Sequence, residues 1–196
     1  MIIDVSSNQG AIDWAKVANT GEVDGVILRA TTKNGNLDVR TMENFNGVFK
    51  HLPDVKEISA YKFSYASTFE DASIEAFKLL QTLKDASILK YLDHVYLDLE
   101  GFSGRDYTTA EASAVIIAYL QTFDHFGIAD KFALYFNYNY LKTIIDPMWR
   151  SIPIWLARYN SVMGDVFGAN VILWQYTSTG KVEGISTNVD KSVVIK

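Results

Sequence analysis

The sequence predicts an α/β chain whose strands close into a β/α barrel with an incomplete ring of helices. Three observations carry this. Strand-like and helix-like segments alternate five times from the N-terminus, which implies parallel strands joined by right-handed crossovers. The early strand-like runs are continuously apolar rather than alternating, as in a sheet covered on both faces. Finally, Asp4, Tyr61, Asp98, Glu100, Tyr135, Trp155 and Gln175 all fall near the C-terminal ends of different predicted strands. In a barrel those ends form one mouth. An open doubly wound sheet is the alternative, but eight strands in this order can close.

Met1 to Val5 reads as a short buried strand, left by the loop Ser6-Ser7-Asn8-Gln9-Gly10 and followed by a short helix over Ile12 to Ala18. Asp24 to Ala30 is the second strand. Thr41 to Leu52 forms a helix with Phe45, Val48 and Phe49 inward, stopped by Pro53. Ile58 to Phe63 is the third strand, and a long helical stretch runs from Phe69 to Leu92 with Ile74, Phe77 and Leu80 at helical spacing. A strand follows from Val95 to Glu100. Thr108 with Glu111 makes a capping box, and Ala112, Val115, Ile116, Tyr119, Leu120 and Phe123 recur at the helical interval until Gly127. Phe132 to Phe136 is a fifth strand and Tyr138 to Ile145 a short helix. Beyond Pro147 the pattern changes to three strand-like runs, 154–157, 171–176 and 189–195, with no long helix between them.

A chain of 196 residues that is 48% hydrophobic can bury one sizeable core, and residues 1–196 are expected to form a single domain. There is no cysteine, so disulfides, thiolate metal sites and a cysteine nucleophile are excluded. A net charge of −5 without a basic run argues against a nucleic-acid partner. The start at Met1-Ile2-Ile3-Asp4 has no signal-peptide pattern, and no segment reads as membrane-inserting. His51, His94 and His125 have no metal-ligand spacing. Neither a Gly-x-Ser-x-Gly elbow nor a Gly-rich phosphate loop is present, so a serine hydrolase or a nucleotide enzyme is disfavoured. No metal and no cofactor are expected. Oligomeric state is left open.

The chemistry centres on Tyr96-Leu97-Asp98-Leu99-Glu100. Residues two apart share a strand face, so Tyr96, Asp98 and Glu100 point one way and Leu97 and Leu99 the other. Two neighbouring carboxylates oppose each other's ionisation, which keeps one of them protonated toward neutral pH. On its own, an Asp-x-Glu can equally be the solvated end of a strand. Asp4 can cap the turn that follows it, and Asp190 can be an ordinary loop acid.

Taken in order, Asp4-Val5-Ser6-Ser7-Asn8-Gln9-Gly10 with Ile12-Asp13-Trp14, then Leu97-Asp98-Leu99-Glu100, then Trp174-Gln175-Tyr176-Thr177-Ser178 and Asn188-Val189-Asp190 resemble the family 25 glycoside hydrolases. These are lysozymes of the N-acetylmuramidase type, many of them phage endolysins. The resemblance implies a flattened, TIM-like barrel of five βα units followed by three strands. It implies hydrolysis of the β-1,4 bond between N-acetylmuramic acid and N-acetylglucosamine, with bacterial peptidoglycan glycan strands as the partner. It also implies synthesis in the bacterial cytoplasm and action on the wall after release in phage lysis. Carried over by position, Glu100 is the general acid, Asp98 its partner carboxylate, and Asp4 and Asp190 the other two acids. Tyr61 stands in Ala60-Tyr61-Lys62-Phe63, where members usually show Tyr-His-Phe; Lys62 departs from that pattern and by parity faces away from Tyr61. Tyr61, Tyr135 and Trp155 are expected to stack on sugar rings if they are not core, while Gln175 and Arg29 have no assigned role. Net retention through the substrate's 2-acetamido group, with Asp98 assisting, is the expected mechanism. A divalent-metal hydrolase and a non-catalytic glycan-binding barrel are the alternatives, and the wall-binding repeats that members often carry are not seen in this chain.

Overall fold

The computed structural model describes residues 1–195. Eight strands close into one barrel in chain order: β1 (Ile2–Val5), β2 (Gly25–Arg29), β3 (Glu57–Phe63), β4 (Val95–Asp98), β5 (Phe132–Asn137), β6 (Ile154–Ala157), β7 (Val171–Gly180) and β8 (Val189–Val194). Helices α1 (Trp14–Asn19), α2 (Thr41–His51), α3 (Phe69–Asp85), α4 (Thr109–His125) and α5 (Tyr138–Thr143) follow the first five strands in turn. Five βα units and three closing strands are therefore present, and the ring of helices is incomplete. Among the described residues no helix is long and apolar enough to cross a membrane.

Neighbours from β1 to β7 pair in parallel. The last strand does not. β8 runs antiparallel to both β7 and β1. The physical reason lies in residues 181–188, the link from β7 to β8: a parallel crossover needs about a dozen residues or more, whereas an antiparallel return needs only a turn.

Strand parity sorts the apolar residues into two cores. Ile3, Val26, Leu28, Leu97 and Leu99 face the helices, while Ile2, Ile27, Tyr96, Ala133, Tyr135, Trp155 and Leu173 fill the barrel interior. A barrel of this size is plugged by side chains rather than open. Trp155 sits at the centre of the plug, its ring 4.4 Å from that of Tyr135, 5.3 Å from Tyr96 and 6.3 Å from Tyr61.

The helices differ from their sequence pattern in which face is buried. α3 stops at Asp85, and Ser87 in a left-handed conformation (φ 62°) leads into a separate turn of 3-10 helix at Leu89–Tyr91. Ile74 and Phe77 are exposed; the buried stripe is Ala72, Ala76, Leu79, Leu80 and Leu83. The small alanines let α3 lie close on α4, so backbone proximity rather than side-chain size selected that face. Phe49 of α2 is likewise exposed, tilted against Phe45 and edge-on to Tyr91. α4 begins on the expected Thr108–Glu111 capping box.

Gly47 marks the closest approach of α1 and α2, where a Cβ would lie 2.0 Å from Trp14 Cδ1. Trp14 is buried and has no room to retreat. Gly47→Ala is expected to destabilise the fold by about 1–3 kcal/mol, as overpacking typically does. Urea unfolding checks this; an unchanged midpoint would mean that Trp14 can move aside at no cost.

Candidate active site

The C-terminal ends of the parallel strands open into a pocket of about 280 Å³. β2 delivers Arg29, β3 Tyr61 and Phe63, β4 Asp98, β5 Tyr135 and β6 Trp155, while loops add Asn8, Tyr65, Glu100 and Tyr159. Asp190 arrives from the other direction. It stands near the start of β8, and only because that strand is reversed does its beginning lie at the mouth, paired in register with Asp4. β4 ends at Asp98 rather than at Glu100, although Leu99 N–H still donates to the Tyr135 carbonyl at 2.9 Å. Glu100 therefore lines the same pocket as Asp98 from just beyond the strand.

Six of the seven sequence-picked residues, Glu100, Asp98, Asp190, Tyr61, Tyr135 and Trp155, line the pocket. Asp4 lies beneath it, buried, and is reached through Gln175. Asp4 does not cap the turn that follows it: Ser6 Oγ accepts from the Asn8 amide and Gln9 Oε1 from the Ser6 amide.

Gln175, to which the sequence assigned no role, is the tie between the acids and the phenols. Its Nε2 donates to Asp4 Oδ2 at 3.0 Å and to Asp190 Oδ2 at 3.3 Å. Its Oε1 accepts from Tyr135 and Tyr159 hydroxyls, both at 2.9 Å. A primary amide with both hydrogens and its oxygen engaged has one orientation. Two acids and two rings are thereby placed by one side chain.

The aromatic residues divide by exposure. Trp155 and Tyr135 are buried in the interior plug, and Trp155 Nε1 donates to Ser192 Oγ at 2.9 Å. They form the floor of the pocket. Tyr61 is less enclosed, and Tyr159, at 53% exposed, and Tyr65 stand at the rim. Tyr159 and Tyr65 were not singled out from sequence, yet Tyr159 lies just past the end of β6, within reach of the same strand-end rule.

Burial and mutual repulsion raise every carboxyl pKa in the cluster. Asp98 is held well above the usual carboxylate range by burial, by the charge of Glu100 and by that of Asp4, against the opposing cations Lys62 and Arg29. Asp4 is raised likewise, by burial and by Asp190. Glu100 is raised by burial and then by Asp190, and Asp190 by burial. Asp98 and Glu100 oppose each other's ionisation, and burial and the charge of Asp190 add to the hold on the Glu100 proton. Burial also pushes the Tyr159 hydroxyl up to about 12, so it remains a hydrogen-bond donor. One atom in the site is conspicuous: Asp98 Oδ1 is buried and has no hydrogen-bond partner.

Lys62 faces the helical layer, as parity required, and lies beside Glu75 of α3. His51 and His125 are the last residues of α2 and α4, and His94 precedes β4 beside Glu57, at the opposite end of the strands from the mouth. Among the described residues no group of three or more His, Cys, Asp or Glu side chains is placed to hold a metal ion.

The profile of the family described as glycosyl hydrolases family 25 matches residues 3–185. A comparison with curated proteins finds no match. Among solved structures, the modular autolysin LytC from Streptococcus pneumoniae in complex with a synthetic peptidoglycan ligand is 27% identical, with a TM-score of 0.85 over 97% of this chain and 45% of its own. The CTP1L endolysin is 26% identical, with a TM-score of 0.79 over 99% of this chain and 66% of its own. A family 25 glycosyl hydrolase from Bacillus anthracis has the same fold at 20% identity, with a TM-score of 0.80 over 99% of this chain and 88% of its own. The chain thus spans less than half the length of the autolysin it resembles.

Proposed function

Because the chain belongs to glycosyl hydrolases family 25, we propose that it is a peptidoglycan hydrolase, an N-acetylmuramidase acting on the bond between N-acetylmuramic acid and N-acetylglucosamine. The observation that carries this reading is the pairing at one mouth of a half-buried carboxyl, Glu100, with a buried one, Asp98, whose Oδ1 lacks a partner. Cleavage of a glycosidic bond needs a proton for the leaving oxygen and a counter-charge for the cationic ring, and two carboxyls in different environments can divide those tasks.

Glu100 gives its proton to the glycosidic oxygen as the C1–O bond breaks. The carbonyl oxygen of the 2-acetamido group bonds to C1 from the opposite face, and its N–H donates to Asp98 Oδ1. A donor at that oxygen favours the carboxylate form of Asp98, so substrate binding itself supplies what the free protein resists. The carboxylate stabilises the positive charge on the acetamido ring that forms. Water, losing its proton to Glu100, then attacks C1 and restores the acetamide, with net retention at C1. Asp4 and Asp190 supply negative charge around the cation, fixed by Gln175, and Tyr61, Tyr65 and Tyr159 offer the sugar its walls.

The test is release of reducing ends from purified peptidoglycan, with and without EDTA. Release is expected, undiminished by the chelator, with N-acetylmuramic acid at the new ends. Pelleting with walls without release would favour the glycan-binding barrel. Loss in EDTA and restoration by Mg²⁺ or Mn²⁺ would make the acids metal ligands.

A further inference from the structure

β3 carries a cation in its dry outer face. Lys62 is 1% exposed, its Nζ donates to the Phe63 carbonyl at 2.7 Å, and it lies 3.5 Å from Glu75 Oε2 and 5.1 Å from the centre of the Tyr65 ring. Glu75 is held in turn, accepting from the Tyr65 amide at 3.2 Å and the Tyr119 hydroxyl at 2.7 Å. Burying such a pair forfeits much solvation, and an apolar pair of similar volume would often serve packing as well. Stability therefore does not account for it.

Its place in the sheet does. The register of β3 on β4 sets Lys62 beside Leu97 and Phe63 beside Asp98, and Ser64 N–H donates to the Asp98 carbonyl at 3.0 Å. We propose that Lys62, held by Glu75, is a positioning residue for Asp98: a fixed positive charge behind the barrel wall that favours the carboxylate form of Asp98 on which the hydrolase reading above rests. Asp98 is faced by Asp4 of β1, Arg29 of β2, Tyr61 of β3, Tyr135 of β5, and Glu100 and Tyr107 of the loop after β4. The positive charges set against the acids are Arg29 and, from behind the wall, Lys62. Arg29 lines the pocket and is partly exposed, whereas Lys62 is buried and screened less by salt. Around Lys62 stand Glu75 of α3, Arg29, Asp98 and the Tyr65 ring. Glu75 accepts from the Tyr65 amide and the Tyr119 hydroxyl as well as facing Lys62.

The experiment follows Asp98 directly, through its side-chain carboxyl ¹³C resonance in the full chain, assigned with Asp98→Asn. Lys62→Met combined with Glu75→Gln removes both buried charges without orphaning either. The Asp98 midpoint is expected to rise by about one pH unit, the low end of what a nearby opposite charge does, while Lys62→Arg leaves it within a few tenths. Should the Met variant not fold, Lys62→Gln with Glu75→Gln, two amides able to bond each other, reads the same quantity. The acidic limb of kcat should move up with the midpoint and KM should hold, whereas a merely structural role would lower kcat at every pH without moving the limb. An Asp98 midpoint unchanged in a folded double variant overturns the proposal. If the wild type releases no reducing ends, the hydrolase reading fails by itself, and the resonance still decides what Lys62 does to Asp98.

Discussion

Replacing Glu100 by glutamine is expected to lower kcat on peptidoglycan by about 10²- to 10⁴-fold, the range in which a positioned general acid contributes. The amide matches the carboxyl in shape but has no proton acidic enough to follow the leaving oxygen. Folding should be untouched, because Glu100 lies beyond the end of β4 and only half-buried. Burial and the charge of Asp190 raise its pKa, so neutralising it relieves repulsion in the cluster and should, if anything, stabilise the protein at neutral pH. Reducing-end assays on a variant with native circular dichroism provide the check. Turnover near the wild type would remove Glu100 from the role.

Asp98→Asn is expected to lower kcat by about 10²- to 10³-fold, the scale on which lost electrostatic stabilisation of a transition state is felt, with KM changed only a few-fold. The charge matters when the acetamido ring becomes cationic, so ground-state binding has little to lose. The variant also has a pH signature. In the substrate complex an ionised Asp98 beside Glu100 opposes a second ionisation, so Glu100 keeps its proton to higher pH; the same mutual repulsion raises Asp98 in the free protein. With asparagine in its place, Glu100 loses its proton sooner, and the basic limb of kcat moves to lower pH. The limbs belong to the coupled pair rather than to either acid. A rise in KM alone would contradict the assignment, and a basic limb that stays in place would leave burial and Asp190 as the holders of the Glu100 proton.

The folded protein separates what was legible in the chain from what was not. Capping of α4 by Thr108 and Glu111, the alternation of strands and helices, and the two-residue parity that turns Asp98 inward and Lys62 outward all depend on residues a few positions apart. Such features are set by backbone geometry and local bonding, so a linear pattern determines them. The mouth was legible for a related reason: in a parallel barrel each strand end is a local feature, and five residues chosen by that rule, Tyr61, Asp98, Glu100, Tyr135 and Trp155, line one pocket. Tyr159 lies just past its strand, as Glu100 does, and lines the same pocket.

Tertiary structure decided the rest, because the deciding contacts span most of the chain. The reversal of β8 follows from a link too short for a crossover, and it alone sets Asp190 opposite Asp4. Gln175 bonds acids 171 residues and 15 residues away, together with two phenols. Buried helix faces obeyed the same logic: Ile74 and Phe77 are larger than Ala72 and Ala76, but packing against α4 selects the face that lets two backbones approach. The sequence by itself determined on which side of each strand the candidate residues stand. Their ionisation is tuned by the closed barrel, since burial, the charges of Asp4 and Asp190 and the cation at Lys62 come together only when distant strands and α3 meet.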